Sequence, residues 1–186
     1  MKLTIFSRQD NKRSATQKIR RDGNIPAILY GQGRPNEMIS VQGDEFRAIL
    51  RNLKSGLLAT TIFELHDGKK HHKAIIKDVH YHPASYAIEH IDFALIADNV
   101  PVTVNVPINL AGAAECAGIK LGGFLRQVLR TLRVICLPKH IPQEFILDIT
   151  KLEINQAFRL SDIAIPESVR PLAKMTEVAV VIAKKV

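Results

Sequence analysis

The residues of this chain with the clearest chemical potential are histidines and carboxylates in the middle of the sequence. His80 and His82 lie two residues apart, and His90 and Asp92 repeat that spacing shortly afterwards. Successive side chains of a strand point to opposite faces, so each pair is expected to share one face of a strand. Imidazoles and carboxylates on a shared face can bind a metal ion, transfer protons or contact the polar edges of another molecule.

A metal-dependent hydrolase using His82, His90 and Asp92 is one interpretation of these residues. A metal ion requires three or four converging ligands, which the strand spacing allows but does not demand. The sequence has no glycine-rich phosphate loop, nucleophile elbow or H-E-x-x-H helix. We therefore expect a protein without catalytic activity, cofactor or small-molecule substrate, and keep the hydrolase as the alternative.

A basic segment near the N-terminus indicates a polyanionic partner. Between Arg8 and Arg21 the only acid is Asp10, and the bases are Arg8, Lys12, Arg13, Lys18, Arg20 and Arg21. An apolar run ending in Tyr30 follows. Cations neutralise phosphates and an aromatic ring can stack on an unpaired base, so this order of residues favours RNA binding. A basic surface loop that leads into a core strand is the alternative.

Composition agrees with an anionic partner. The net charge is +8. Residues 1–95 carry 15 basic and 10 acidic side chains, whereas residues 96–186 carry 11 basic and 8 acidic ones, so the first half is the more positive.

Other classes of protein are not indicated by the sequence. No apolar run approaches the 18 residues of a membrane span, and Met1–Ser7 is too short and too soon charged for a secretory signal. Cys116 and Cys136 are too few and too far apart for a disulfide framework or a thiolate zinc site. We expect a cytoplasmic protein.

Alternating apolar residues predict a mainly β fold for the first half. The expected strands are Leu3–Phe6, Ala27–Tyr30, Leu57–Leu65, Lys73–Tyr81 and Ala87–Leu95. A helix is predicted from an N-cap at Asp44 to Gly56, and turns are predicted at Gly31–Asn36 and at His66–Gly68, where a hairpin reverses. Five or more strands with one clear helix suggest a small barrel over residues 1–95.

A second β-rich domain is predicted over residues 96–186. Its first strand, Val100–Leu110, contains Pro101 and Pro107, which favour the edge of a sheet. Further strands are expected at Phe145–Ile149 and Val178–Ile182. The segment Phe124–Leu132 fits a helix and a strand equally well.

Several segments together resemble a known family. They are the basic run from Arg8 to Arg21, GNIPAILYG (Gly23–Gly31), KDVHYHP (Lys77–Pro83), EHIDF (Glu89–Phe93), GIKLGGFLRQVLRTLRVICLP (Gly118–Pro138) and IPQEFILDITKLEINQAFRLSDI (Ile141–Ile163). In order and spacing they resemble the bacterial 5S rRNA-binding ribosomal proteins, large-subunit protein twenty-five, in the long form with a general-stress (CTC-type) C-terminal domain. Each motif alone is weakly specific, but together they cover nearly the whole chain.

The resemblance implies a six-stranded N-terminal barrel, similar to the anticodon-binding barrels of some tRNA synthetases. It implies a component of the large ribosomal subunit whose barrel binds an internal loop region of 5S rRNA, largely from the minor-groove side. By match to the family's motifs, the residues expected to contact RNA are Arg8, Arg20, Tyr30, His90 and Asp92. A tRNA-binding accessory module would share the barrel and remains an alternative.

Two departures from the family's pattern affect the expected contacts. Gln17 and Lys18 stand where relatives often carry paired arginines, so phosphate binding is expected to shift to Arg13, Arg20 and Arg21, with Lys18 beside them. His80 stands where many relatives carry glutamine. A neutral imidazole offers one donor and one acceptor, so His80 is a candidate for contacts with sugars and bases.

Overall fold

The computed structural model describes residues 1–8, 12–31, 33–68 and 71–184. Backbone contacts divide the chain into two units, Met1–Val100 and Pro101–Val186. The amide of Ile96 donates to the carbonyl oxygen of Lys73 at 3.0 Å, so the hydrogen bonds of the first unit continue past the boundary predicted after Leu95.

The first unit contains a closed barrel of six strands, as predicted. The strands are β1 (Lys2–Ser7), β2 (Ile25–Gly31), β3 (Arg34–Val41), β4 (Ile62–His66), β5 (His71–Tyr81) and β6 (Ile88–Leu95). Their order around the barrel is β1-β3-β2-β6-β5-β4, and parallel pairing of β1 with β4 closes it. Closure leaves no free edge, because the outer strands hydrogen-bond to each other.

Alternation along these strands decides which side chains fill the barrel. On β6, Ile91 and Phe93 are fully buried. Asp92, which lies between them, and His90, which precedes Ile91, are partly exposed. Phe93 meets Phe63 of β4 edge to face, with ring centroids 6.2 Å apart. Because the period of a strand is two, inward packing of these apolar residues turns the polar residues of β6 to the outer surface.

Most of the basic segment forms a helix, which the sequence analysis did not predict. Helix α1 spans Arg13–Arg21 and has no buried residue, no acid in its first turn and no side-chain N-cap. The usual sequence signals of a helix start are therefore missing, which explains why the pattern did not predict it. Asp10 and the neighbouring residues 9 and 11 lie outside the described residues.

The segment between β2 and β4 also differs from the prediction. Strand β3 was not predicted, and its first residues, Arg34–Asn36, belong to the segment that was expected to be a turn. Gln32 of that expected turn lies outside the described residues. Helix α2 spans Gly43–Asn52 and its N-cap is Gln42 rather than Asp44, whose carboxylate pairs with Arg47 at 3.1 Å.

The expected strand at Leu57–Leu65 is extended only in its second half. Leu57–Thr60 form a 3₁₀ helix after Gly56, which adopts the left-handed conformation with φ of 89°. The hydroxyls of Thr60 and Thr61 donate to the carbonyl oxygen of Leu57 and favour this turn. The hairpin between β4 and β5 is confirmed. Among the described residues, no helix is long and apolar enough to cross a membrane.

The second unit is β-rich, as predicted. Its elements are β7 (Val102–Ala111), α3 (Ala117–Lys120), β8 (Gly123–Gln127), β9 (Thr131–Cys136), β10 (Phe145–Asp148), β11 (Ala157–Arg159), β12 (Arg170–Pro171) and β13 (Val178–Lys184). They form a four-stranded sheet in the order β10-β7-β9-β12 and a three-stranded sheet in the order β11-β13-β8. The ambiguous segment Phe124–Leu132 is extended, because β8 and β9 occupy most of it.

The prediction that the strand around Pro107 lies at a sheet edge was wrong. Strand β7 lies inside its sheet, with β9 on one side and β10 on the other. The proline is tolerated because the two neighbours use different parts of β7. Pairing with β9 ends at Pro107 opposite Thr131, and pairing with β10 begins at Ile108 opposite Phe145.

Candidate nucleic-acid interface

The centre of the candidate site is a histidine–carboxylate pair on the outer face of β6. Nδ1 of His90 lies 2.8 Å from Oδ1 of Asp92, and each side chain is 29% exposed. The i, i+2 spacing predicted this pairing, because Ile91 between them points into the barrel. The pair is half-buried, so other groups can reach it while water surrounds it only in part.

The surroundings of His90 favour the neutral imidazole. Burial lowers the pKa of His90 below its usual 6.5, the charge and hydrogen bond of Asp92 oppose that change, and Arg8 and His80 lower the pKa further. At neutral pH the ring therefore carries one proton. With Nδ1 donating to Asp92, Nε2 is left as a hydrogen-bond acceptor.

A second histidine–carboxylate pair lies beside the first, on β5. His80 is opposite His90 in the strand register, and their ring centroids are 6.1 Å apart. Nε2 of His80 lies 3.6 Å from Oδ2 of Asp78, which is opposite Asp92. Sequence reasoning missed Asp78, although its D-x-H spacing mirrors the H-x-D spacing of β6 and could have revealed it.

Tyr30 borders the two carboxylates from the neighbouring strand. Ile28 of β2 lies opposite Asp92 and Tyr30 lies opposite Ala94, so the half-buried phenol stands next to the pair on β6. Burial raises the pKa of Tyr30, and the charges of Asp92 and then Asp78 raise it further. The hydroxyl therefore stays protonated and can donate a hydrogen bond.

Two of the predicted arginines lie beside this face, and one of them is fixed to it. Nε and Nη2 of Arg20 donate to the carbonyl oxygen of Glu89 at 3.3 and 3.0 Å, directly before His90. Nη1 of Arg8 lies 3.5 Å from the hydroxyl of Thr16 on α1. Burial and then the charge of Arg20 lower the pKa of Arg8.

Arg8 also offers an unused donor. Its Nε is buried, and no hydrogen-bond partner for that atom occurs among the described residues. A buried donor without a partner is unfavourable, so only a group that accepts from Nε itself would remove the penalty.

The other predicted cations lie on the exposed side of α1. Arg13, Lys18 and Arg21 are exposed, whereas Thr16 and Ile19 are half-buried on the opposite side of the helix. Thus α1 fixes Arg20 beside β6 and leaves three further positive charges in solvent. The structure brings Arg8, Arg20, Tyr30, His80, His90 and Asp92 together, and does not bring Arg13, Lys18 or Arg21 to the pair.

The expectation that His80 and His82 share a strand face was wrong. His82 lies beyond the end of β5, and its Nδ1 accepts from the amides of Ala84 and Ser85 at 3.3 and 3.2 Å. His82 stabilises a loop and does not join His90 and Asp92. Within the part of the chain that the structure describes, no group of three or more histidines, cysteines or acids could hold a metal ion.

Fold and site together define a β-barrel protein whose polar, partly basic outer face is suited to binding rather than to catalysis. Comparison with known proteins then places it: the chain belongs to the ribosomal L25p family, which matches residues 3–93. Residues 101–185 match the C-terminal domain of ribosomal protein TL5. The resemblance stated from the sequence is thereby confirmed in both halves.

Relatives match over the full length. The large ribosomal subunit protein bL25 of Chlamydia trachomatis serovar L2 is 43% identical over 185 residues, covering 100% of both chains. The bL25 proteins of Chlamydia muridarum and Chlamydia pneumoniae are 40% and 38% identical over the same span, again with 100% coverage of both chains. The chain is therefore a ribosomal protein and not an enzyme, which agrees with the predicted cytoplasmic location.

Proposed function

We propose that this chain is a structural constituent of the large ribosomal subunit that binds 5S rRNA through the outer face of its barrel. The observation that carries the proposal is the half-buried pair of His90 and Asp92, flanked by Tyr30 and by the tethered Arg20. Family membership supports the ribosomal part, since the relatives are named as large-subunit proteins.

The cations suit the phosphate backbone. Arg8 and Arg20 border the histidine pair, and helix α1 adds the exposed Arg13, Lys18 and Arg21. Contacts to phosphates supply affinity for nucleic acid and hold the protein in register, but they carry no sequence information. These residues would therefore bind many RNAs about equally well.

The polar face, formed by Asp78 of β5 and by His90 and Asp92 of β6, can discriminate one RNA from others. The carboxylates of Asp78 and Asp92 and Nε2 of His90 accept hydrogen bonds, whereas phosphates cannot donate them. The wide minor groove of RNA offers 2′-hydroxyls and base amino groups as donors. An RNA that places donors at this face gains contacts, and one that places phosphates there is repelled, which makes binding selective.

A competition assay with the full chain tests the proposal. Labelled 5S rRNA is bound to the protein at physiological salt and displaced with unlabelled 5S rRNA or with tRNA. We expect 5S rRNA to compete far better than tRNA, because only an RNA with donors at the polar face satisfies its acceptors. Equal or better competition by tRNA would support the tRNA-binding alternative and contradict the proposal.

A further inference from the structure

A groove in the barrel unit runs beside the candidate interface and shares Arg20 with it. Its volume is about 350 Å³. The residues that matter here are Arg20, Asn24 and Arg47 along one side and His82, Tyr86 and Ile88 along the other. We call it the loop groove, because the loop between β5 and β6 forms its second side.

The loop that borders the groove is tied together by its own hydrogen bonds. The amide of His82 donates to the carbonyl oxygen of Ala87 at 2.8 Å, and the amide of Tyr86 donates to that of His82 at 2.9 Å. Nδ1 of His82 accepts from the amides of Ala84 and Ser85. These bonds hold the loop backbone in one shape, so each side chain projects from a defined position.

Tyr86 is held in an unusual way for an aromatic residue. Its φ is 53°, in the left-handed region that bulky residues rarely adopt, and the residue is 78% exposed. Neither burial of the ring in the core nor backbone preference accounts for a tyrosine at this position. A ring held in solvent on a rigid loop has the form of a stacking platform.

The opposite side of the groove carries two guanidinium groups. Arg47 donates to the carbonyl oxygen of Gly23 and pairs with Asp44, while Arg20 donates to the backbone of Glu89 through Nε and Nη2. A guanidinium has five N–H groups, so Nη1 of Arg20 can still donate to a phosphate. Glu89, which also lines the groove, is the acid on this surface.

We propose that the loop groove binds one unpaired nucleotide of the RNA that occupies the polar face. Its base stacks on Tyr86, and its phosphate accepts hydrogen bonds from Arg20 and Arg47. Continuity supports this, because Arg20 lines the groove and also lies directly beside His90. The inference rests on the proposed function, since it extends the same RNA contact around the end of the barrel.

The test measures binding of a 5S rRNA transcript to the full chain and to variants at Tyr86. Loss of one stacked base is expected to weaken binding of Tyr86→Ala at least about five-fold, whereas Tyr86→Phe keeps the ring and stays within about two-fold of the parent. Tyr86→Asn removes the ring with a residue that tolerates the left-handed conformation, so it separates stacking from backbone strain. Tyr81→Ala is the matched control, because Tyr81 is 47% exposed but does not line the groove.

Two results would overturn the inference without touching the proposed function. One is unchanged RNA affinity of both Tyr86→Ala and Tyr86→Asn while His90→Ala weakens binding. The other is unchanged RNA affinity with reduced incorporation into ribosomal subunits, which would make a protein the partner of the groove. Failure of the parent chain to bind the transcript would instead refute the proposed function itself.

Discussion

Asp92 sets the hydrogen-bonding character of His90. Oδ1 of Asp92 lies 2.8 Å from Nδ1 of His90, and both side chains project from the same face of one strand. The carboxylate accepts the only proton of the neutral ring, so the outward-facing Nε2 becomes an acceptor. The two residues therefore form a single unit, and changing either one alters what the other offers to a partner.

The first prediction is that loss of this unit weakens RNA binding, although net charge alone would predict tighter binding. Asp92→Ala makes the protein more positive, yet it should weaken 5S rRNA binding by about 1–3 kcal/mol, because His90 is left without its partner in a desolvated interface. Glu64→Ala is the control, since it removes an exposed carboxylate on β4, away from the polar face. That variant should bind equally well or slightly more tightly.

A double-mutant cycle on folded variants measures the coupling. His90→Ala and Asp92→Ala together should cost clearly less than the sum of the two single changes. Additive effects would show two independent surface groups and would rule out a single recognition unit.

The second prediction concerns pH. The pKa of folded His90 lies below its usual 6.5, so between the two values the unfolded chain binds more protons than the folded one. The stability that His90 contributes is therefore fully present above about pH 6.5 and decreases as the pH falls through the folded pKa. Chemical denaturation at several pH values measures the free energy of unfolding of the parent and of His90→Gln. The difference between these two free energies should change only below that pH. A difference that stays constant down to pH 4 would contradict the assignment.

The third prediction separates phosphate contacts from base contacts by salt dependence. Arg20→Ala should weaken binding to many RNAs alike and reduce the slope of log affinity against log salt by about one unit. Arg51→Ala, an exposed arginine at the end of α2 that lines neither site, should leave slope and affinity nearly unchanged. A clear loss of affinity by Arg20→Ala at constant slope would instead point to a stacking or base-edge role.

The fourth prediction concerns fragments. A fragment of residues 1–100 should fold and keep most of the affinity for 5S rRNA, because the polar face and α1 lie within it. A fragment ending at Leu95 should be less stable, since it loses the hydrogen bond of Ile96 to Lys73 and the ion pair of Lys73 with Asp98 at 3.5 Å. Urea denaturation and RNA binding of both fragments check this. RNA binding that resides in residues 101–186 would refute the location of the site.

Where local patterns were strong, the sequence alone predicted the fold class and the shared strand face of His90 and Asp92. The apolar alternation of β6 determined that Ile91 and Phe93 point inward. His90 and Asp92 must therefore share the outer face of the same strand. The same period of two predicted the β4–β5 hairpin and the β-rich second half. A strand needs one buried face, so these positions carry the signal in their own residue types.

Tertiary structure decided what depends on partners distant in the sequence. Helix α1 has no side-chain N-cap and no fully buried residue, so its sequence did not predict it. Arg20 on this helix is fixed by the carbonyl oxygen of Glu89, 69 residues away. Asp78 lies at the site because the register of β5 places it opposite Asp92. Pro107 lies inside a sheet because β9 pairs with β7 up to Pro107, whereas β10 pairs with β7 from Ile108 onward. Strand register and long-range hydrogen bonds arise from packing of the whole unit, and no local pattern of residues encodes them.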